Sequence, residues 1–266
     1  KYKPNYVFHL AAQALVKKSY IEPVDTFQSN TIGTLNVLES IRNLKGNCIA
    51  VLITSDKSYK NIETKRGYIE EDHLGGIDPY SSSKASAELI IQSYINSFFK
   101  TKSNKKLIAV ARAGNVIGGG DWSEDRLIPD CIKAWSKNQI VIIRNPKSTR
   151  PWQHVFEALR GYLILAINLK KNTNLHGQVF NFGPKNSQNK TVIELIYQAR
   201  KSWNNIKHKV IKFKTTDYES RLLKLNSSKA KKFLNWEAKL KFSKTVKMVI
   251  DWYKYYYFKR KDLYKF

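Results

Sequence analysis

Apolar residues along this chain recur in two alternating patterns. The runs "NYVFHLAA" (5–12), "CIAVLIT" (48–54), "LIAVARA" (107–113), "IVII" (140–143) and "VFNFG" (179–183) are almost continuously apolar. That is how strands covered on both faces read. Between them lie longer stretches with helical spacing, at 25–45, 79–99, 127–137 and 154–171. In the first of these, Phe27, Thr31, Thr34, Leu35, Leu38 and Ile41 share one face. Asp78 is placed to cap the second, and Pro79 suits its first turn. A polar loop fills 58–77 and a glycine-rich loop 114–121. Later helices are predicted near 191–203, 227–235 and 243–257, the last carrying a Val246, Val249, Ile250 and Tyr253 stripe. Strand and helix patterns in alternation predict an α/β protein with a doubly wound parallel sheet. The expected domains are residues 1–183, with insertions near 120–150, and a smaller mixed domain at 184–266.

Composition narrows the function classes. At 266 residues the chain can bury a sizeable core. The longest apolar run, "YLILAINL" (162–169), is too short to cross a bilayer, so no membrane span is expected. The formal net charge is +26, yet only 10 of the 47 basic residues are arginine and the lysines are scattered. Without a nucleic-acid-binding motif this reads as a solvated lysine-rich surface, and no nucleic-acid partner is expected. The terminal "YKYYYFKRKDLYKF" (253–266) mixes aromatics with lysines and reads as a helix end or a partner surface. Cys48 and Cys131 are far apart, in apolar surroundings, and give no metal-ligand spacing. Buried reduced thiols, no metal site and a cytoplasmic setting are therefore expected.

The chemistry concentrates at two places. "SDK" (55–57) follows directly on a strand that looks fully buried, where parallel α/β sheets carry their sites. "DPYSSSKASAEL" (78–89) sets Tyr80 and Lys84 four apart on one helix face. A protonated lysine beside a tyrosine is expected to lower the phenol pKa towards that of a usable base. A surface pair on a helix gives the same short motif, so its context carries the reading. His154 reads as a packed or hydrogen-bonded structural residue.

The segments "HLAAQ" (9–13), "TSDKSY" (54–59), "DPYSSSKASAE" (78–88), "RAGNVIGGGDW" (112–122), "DRLIPD" (125–130) and "RPWQHV" (150–155) occur together in this order. In this the chain resembles the extended branch of the short-chain dehydrogenase/reductase superfamily. Within it, the likeness is to the NAD-dependent nucleotide-sugar epimerases and dehydratases, nearest those dehydratases that act on CDP-glucose. The resemblance implies a Rossmann-type sheet, NAD as cofactor, a CDP-glucose substrate and a homodimer through the helices near 25–45 and 79–99. It implies that Tyr80 takes the proton of the sugar 4-hydroxyl as hydride leaves C4, with Lys84 on the nicotinamide ribose. Ser55 would hold the 4-oxygen, Asp56 would act as the acid that expels the C6 hydroxyl, and Lys57 as the base at C5. Those last roles require Asp56 raised and Lys57 lowered in pKa. Ala11, Ala12, Gln13 and Val116 would line the cofactor, and Asn115, Arg126, Leu127 and Arg150 the substrate, with Arg150 on its diphosphate. Tyr218 stands where the family commonly has histidine, and no role is carried over to it.

The Rossmann-type sheet is expected to be partial. A dinucleotide fold opens with a strand, a glycine fingerprint and a helix. The only similar glycine cluster, "GGGDWS" (118–123), has Ser123 at its third position, and Pro129 marks a later helix start. The first βαβ units are thus expected to be absent from this chain, about 60 residues or more. A piece lacking them should bind NAD poorly by itself. The alternatives are a nucleotide-sugar epimerase or dTDP-glucose-type dehydratase of the same fold, and an inactive or basic binding protein.

Overall fold

In the computed structural model, which describes residues 2–101, 105–185, 189–211 and 222–259, the apolar runs become strands. β1 (Tyr6–His9) leads through α1 (Val16–Ile21) and α2 (Pro23–Phe27) into α3 (Gly33–Asn43). β2 (Cys48–Ser55), α4 (Pro79–Tyr94) and β3 (Lys106–Ala113) follow. Next come β4 (Val116–Ile117), α5 (Leu127–Ser136), β5 (Ile140–Ile143), β6 (Thr149–Arg150) and β7 (Gln153–His154). α6 (Val155–Lys171), β8 (Val179–Phe182), β9 (Lys190–Thr191), α7 (Val192–Ala199), β10 (Lys207–Val210), α8 (Ser228–Leu234) and α9 (Phe242–Lys254) complete the order.

β1, β2, β3 and β8 hydrogen-bond in that order, and every pair is parallel. Each connection carries a helix, as parallel neighbours demand. Alternate side chains of β2 and β3 enter opposite layers. Ile49, Val51, Ala109 and Ala111 cluster with Ala158, Tyr162, Leu165 and Leu169 of α6. Ala50, Leu52, Ile108 and Val110 cluster with Leu38 and Ile41 of α3 and Ile91 of α4. Helices cover both faces, so the sheet is doubly wound and its strands are apolar throughout. β2 and β3 run in register from Cys48 opposite Lys106 to Ser55 opposite Ala113, and so finish at one edge. Both cysteines are free and buried.

A second core forms away from this sheet. It joins Ile128, Ile132 and Trp135 of α5, Val141 and Ile143 of β5, Leu195 and Ile196 of α7, and Val246, Val249, Ile250 and Tyr253 of α9. Among the described residues β5 pairs with β10 alone, in a parallel two-stranded ribbon. Leu234 and Trp236, at and just after the end of α8, return to the first core.

The structure departs from the sequence pattern near the start. The stretch expected as one helix over 25–45 holds a π-turn at Gln28–Ile32. The extra residue per turn rotates the upstream face. Thr26 and Asn30 are buried there, while Phe27 is 36 % exposed. Helix α1, which carries no clear apolar stripe, is an addition to the predicted elements.

Gly161 of α6 crosses β8 closely. A Cβ there would lie 2.4 Å from Cδ1 of Phe182, a buried ring packed edge-on against Tyr162 and Trp236. Helix propensity favours alanine over glycine by about 1 kcal/mol, but overpacking of a fixed ring costs about 1–3 kcal/mol. Gly161→Ala should therefore lower the denaturant midpoint. An unchanged or higher midpoint would show that the helix–sheet spacing is looser than described.

Candidate active site

β2 ends by turning its last residues into a hydroxyl and charged rim. Ser55 Oγ accepts from Lys57 N at 3.2 Å and donates to Asp56 Oδ1 at 3.1 Å, bending the chain into a single 3₁₀ turn at Asp56–Ser58. Opposite, α4 begins where Asp78 accepts from Ser81 N at 2.9 Å, with Pro79 in the first turn. This cap fixes Tyr80 in the opening turn and Lys84 one turn later, 8 % and 7 % exposed.

The two groups meet. The Tyr80 hydroxyl interacts with that of Ser55 and feels the charges of Asp56, Arg126 and Asp78. Asp56 in turn feels Lys57 and Arg150. Lys84 acts on His9 at the end of β1, and Glu88 acts on Lys84. Lys57 itself lines a small crevice with Tyr59, Asp78 and Ser81 at the start of α4.

Burial dominates the site's electrostatics, and it disfavours every charged form. It pushes the Tyr80 phenol up to about 12, against the Ser55 hydroxyl and the Arg126 charge. It pushes Lys84 down to about 8, with Glu88 opposing. The expected lowering of Tyr80 by Lys84 is therefore not what this structure contains: Lys84 is itself drawn towards neutrality. Asp56 is raised by burial, with Lys57, Ser55 and Arg150 pulling the other way. Its Oδ2 is buried with no hydrogen-bond partner among the described residues, and a Cβ at Gly114 would approach it to 3.1 Å. Glycine at 114 keeps that oxygen clear.

The loop after β1 is anchored to α4 rather than left loose. Gln13 N donates to Asn30 Oδ1 at 2.8 Å, and Asn30 Nδ2 donates to Gln13 O at 3.0 Å and Ser83 Oγ at 2.9 Å. The Gln13 amide is used locally, donating to Thr26 Oγ1 at 2.9 Å and Leu15 O at 3.1 Å. Ala11 is exposed and Ala12 half-buried. Arg126, the N-cap of α5 before Leu127, reaches Asp121 Oδ2 at 3.4 Å and Ala14 O at 3.5 Å, spanning two loops of the site. The Asn115 carbonyl accepts from Gln153 N at 3.3 Å, and Val116 pairs with Gln153 between β4 and β7. Arg150 lies in β6 and is close enough to Asp56 to act on its charge.

Other motifs have structural roles. His154 caps α6, its Nδ1 accepting from Phe156 N at 3.2 Å. Gly118 and Gly119 admit Val155 and Trp252, which a Cβ would meet at 2.7 and 2.2 Å, and the next helix after this loop, α5, begins at Leu127. Tyr218 lies outside the described residues.

One buried polar cluster escaped the sequence reading. Arg112 and Glu88, each 1 % exposed, form an ion pair between β3 and α4. Thr54 Oγ1, one residue before Ser55, donates to Glu88 Oε1 at 2.6 Å. The Arg112 guanidinium lies 4.4 Å from the Tyr59 ring centroid, and Tyr59 donates to Asn181 Oδ1 at 2.8 Å. Two signals were available: an arginine inside an apolar strand, and a glutamate four residues beyond Lys84. No group of His, Cys, Asp and Glu suited to a metal exists among the described residues, and none of their helices is long and apolar enough to cross a membrane.

Comparison with known proteins agrees with this architecture. Residues 1–249 match the family model described as GDP-mannose 4,6 dehydratase. A CDP-glucose 4,6-dehydratase of Salmonella typhimurium is 42 % identical over 258 residues, which are 96 % of this chain and 72 % of that protein. Among solved structures, an epimerase from Methanothermobacter thermautotrophicus aligns with TM-score 0.84 at 23 % identity, covering 98 % of this chain and 75 % of the other. A dTDP-glucose 4,6-dehydratase from Bacillus anthracis, solved in complex with NAD, aligns with TM-score 0.75 at 22 % identity over 98 % and 74 %. With a parallel doubly wound sheet, a tyrosine–lysine helix at its edge and a match along nearly its whole length, the chain belongs to the GDP-mannose 4,6-dehydratase family of nucleotide-sugar dehydratases.

Proposed function

We propose that this protein removes water from CDP-glucose to give CDP-4-keto-6-deoxyglucose, using a bound NAD. The observation that carries the reading is the meeting of Ser55, Asp56 and Tyr80 at one sheet edge, with burial raising the pKa of the Asp56 carboxyl. The 42 % identical relative named for this activity supports the choice of substrate.

The residues present fit the cofactor. Lys84 is buried yet has no hydrogen-bond partner among the described residues, leaving its donors for a ribose diol. The backbone around Ala11, Ala12 and Gln13 would pass the dinucleotide, with Tyr80 and Val116 beside it. NAD, when bound, supplies reversible hydride acceptance, so the net change is loss of water.

The protein's own groups handle the protons. Tyr80 receives the proton of the 4-hydroxyl; burial opposes the phenolate this requires, and the Ser55 hydroxyl and the Arg126 charge favour it. Ser55 holds the 4-oxygen. The ketone formed at C4 acidifies the C5 hydrogen, which Lys57 removes, and Asp56 donates its proton to the departing C6 hydroxyl. The C6 hydroxyl thus leaves as water with the Asp56 proton while Lys57 keeps the C5 proton. The hydride taken from C4 would return to C6, and Lys57, after exchange with solvent, would return a proton to C5 to complete the product. Asn115, Arg126 and Leu127 would bind the nucleotide sugar, and Arg150 its diphosphate, a role suited to forked donors.

With CDP-glucose and NAD in deuterated water, the product should be a 4-keto-6-deoxy sugar carrying deuterium at C5. Tyr80→Phe should lower kcat by about 10²–10⁴-fold. Turnover without C5 deuterium, as an epimerase would give, or a fully active Tyr80→Phe, would refute the reading.

Asp56 also makes a stability prediction. Its folded pKa lies above the ordinary 3.8, so folding favours the protonated form and stability falls as pH rises from about 3.8 through the raised value. Asp56→Asn cannot ionise and so escapes that penalty, a gain of about 1–3 kcal/mol. It should be inactive yet melt higher than the parent at pH 7, with the advantage gone below pH 4. A lower melting temperature at pH 7 would show that the Asp56 carboxylate is stabilised in the fold.

A further inference from the structure

Lys84 and Glu88 stand one turn apart on α4, the spacing at which lysine and glutamate ordinarily pair. Here they do not. Among the described residues Lys84 has neither an ion pair nor a hydrogen bond, while both Glu88 oxygens are engaged elsewhere. Arg112 Nε donates to Oε1 at 2.7 Å, Arg112 Nη2 donates to Oε2, and Thr54 Oγ1 donates to Oε1 at 2.6 Å. Arg112 is satisfied in turn, with Nη1 donating to Glu70 O at 3.1 Å and the guanidinium over the Tyr59 ring. A planar fork grips a carboxylate at two points, which an ammonium cannot do.

We propose that Arg112 is a positioning residue for the reaction: by occupying Glu88 it prevents that carboxylate from capturing Lys84 and leaves the ammonium free for the cofactor ribose. This rests on the role given to Lys84 above. Without Arg112, Glu88 would be a buried, half-satisfied anion with one cation a turn away, and the side chain of Lys84 would be drawn along the helix, away from Tyr80.

The titratable groups around Lys84 define what a change would do. His9 comes from β1, hydrogen-bonded to Thr34 of α3 at 3.2 Å and held low by burial and by Lys84. Tyr80 and Glu88 share its helix, Asp56 lies at the end of β2, and Arg112 stands behind Glu88 from β3. Of these, Glu88 is the group that raises Lys84, against burial that brings it down to about 8. Removing the Arg112 charge should let Glu88 raise Lys84 further. Removing the Glu88 charge should leave Arg112 to repel it.

The test is the titration of Lys84 by NMR of ¹³Cε-labelled lysine, its signal assigned by loss in Lys84→Arg. In Arg112→Met the Lys84 midpoint should rise by about one pH unit or more, and in Glu88→Gln it should fall. In Arg112→Lys, which keeps the charge but cannot grip Glu88 at two points, the midpoint should also rise, whereas a pair acting on Lys84 by charge alone would leave it unmoved there. An unmoved midpoint in Arg112→Lys, or shifts in the same direction in Arg112→Met and Glu88→Gln, overturns the proposal. Should Arg112→Met fail to fold, Glu88→Gln decides by itself, since an unchanged or raised midpoint there is also contrary. The titration needs no turnover. Opposite shifts in a protein without dehydratase activity would therefore overturn the activity and leave the coupling standing.

Discussion

Glu88 is a carboxylate in a place water does not reach, and the geometry of the site depends on how it is satisfied. Arg112 from β3 and Thr54 from β2 both donate to it, and it projects from α4. One side chain thus ties the two central strands to the helix that carries Tyr80 and Lys84. Such a pair is a poor source of stability, because the desolvation of two charges offsets most of their attraction. What it supplies is register. An α-helix turns about 100° per residue, so a slip of one position would carry Tyr80 away from Ser55. The bond from Thr54 fixes the residue next to Ser55 and therefore the start of the Ser55–Lys57 turn.

Coverage of both sheet faces has a second consequence. The low-dielectric surroundings that make β2 and β3 apolar extend over their shared edge, so the ionisable groups there move towards neutrality. Asp56 is raised, Lys84 is lowered and Tyr80 is raised, each chiefly by burial. Burial thus favours the protonated Asp56 that proton donation requires and the neutral form of Lys84, while it opposes the Tyr80 phenolate. The buried Oδ2 of Asp56, without a hydrogen-bond partner among the described residues, is a cost to the fold tolerated at the point where proton donation is needed.

Much of the fold could be read along the chain, because strands covered on both faces and amphipathic helices write their burial into the order of residues. β5 occupies the expected 140–143 stretch, and α4 begins at the expected Asp78–Pro79 cap. The failures have physical causes. A π-turn shifts the helical face by an inserted residue, so the buried side upstream is Thr26 and Asn30 rather than Phe27. The Arg112–Glu88 pair joins residues 24 apart, and nothing local states which carboxylate an arginine inside a strand will meet. The Tyr80 phenol lies above the sequence expectation for a related reason: sequence spacing shows the neighbouring lysine but not the burial that outweighs it. Gln13 belongs to the "HLAAQ" segment, and its amide is used in holding its own loop.

The claim on which the rest turns is spatial: the aspartate and lysine at the end of β2 and the tyrosine of α4 serve one hexose. A crystal structure of the protein with CDP-glucose bound tests it directly. The sugar 4-hydroxyl should lie within hydrogen-bond reach, about 3.2 Å or less, of the Tyr80 oxygen. The C6 hydroxyl of the same ring should lie against the Asp56 carboxyl, with Lys57 beside C5. A hexose seated at Tyr80 with Asp56 and Lys57 beyond the span of one sugar ring would contradict it.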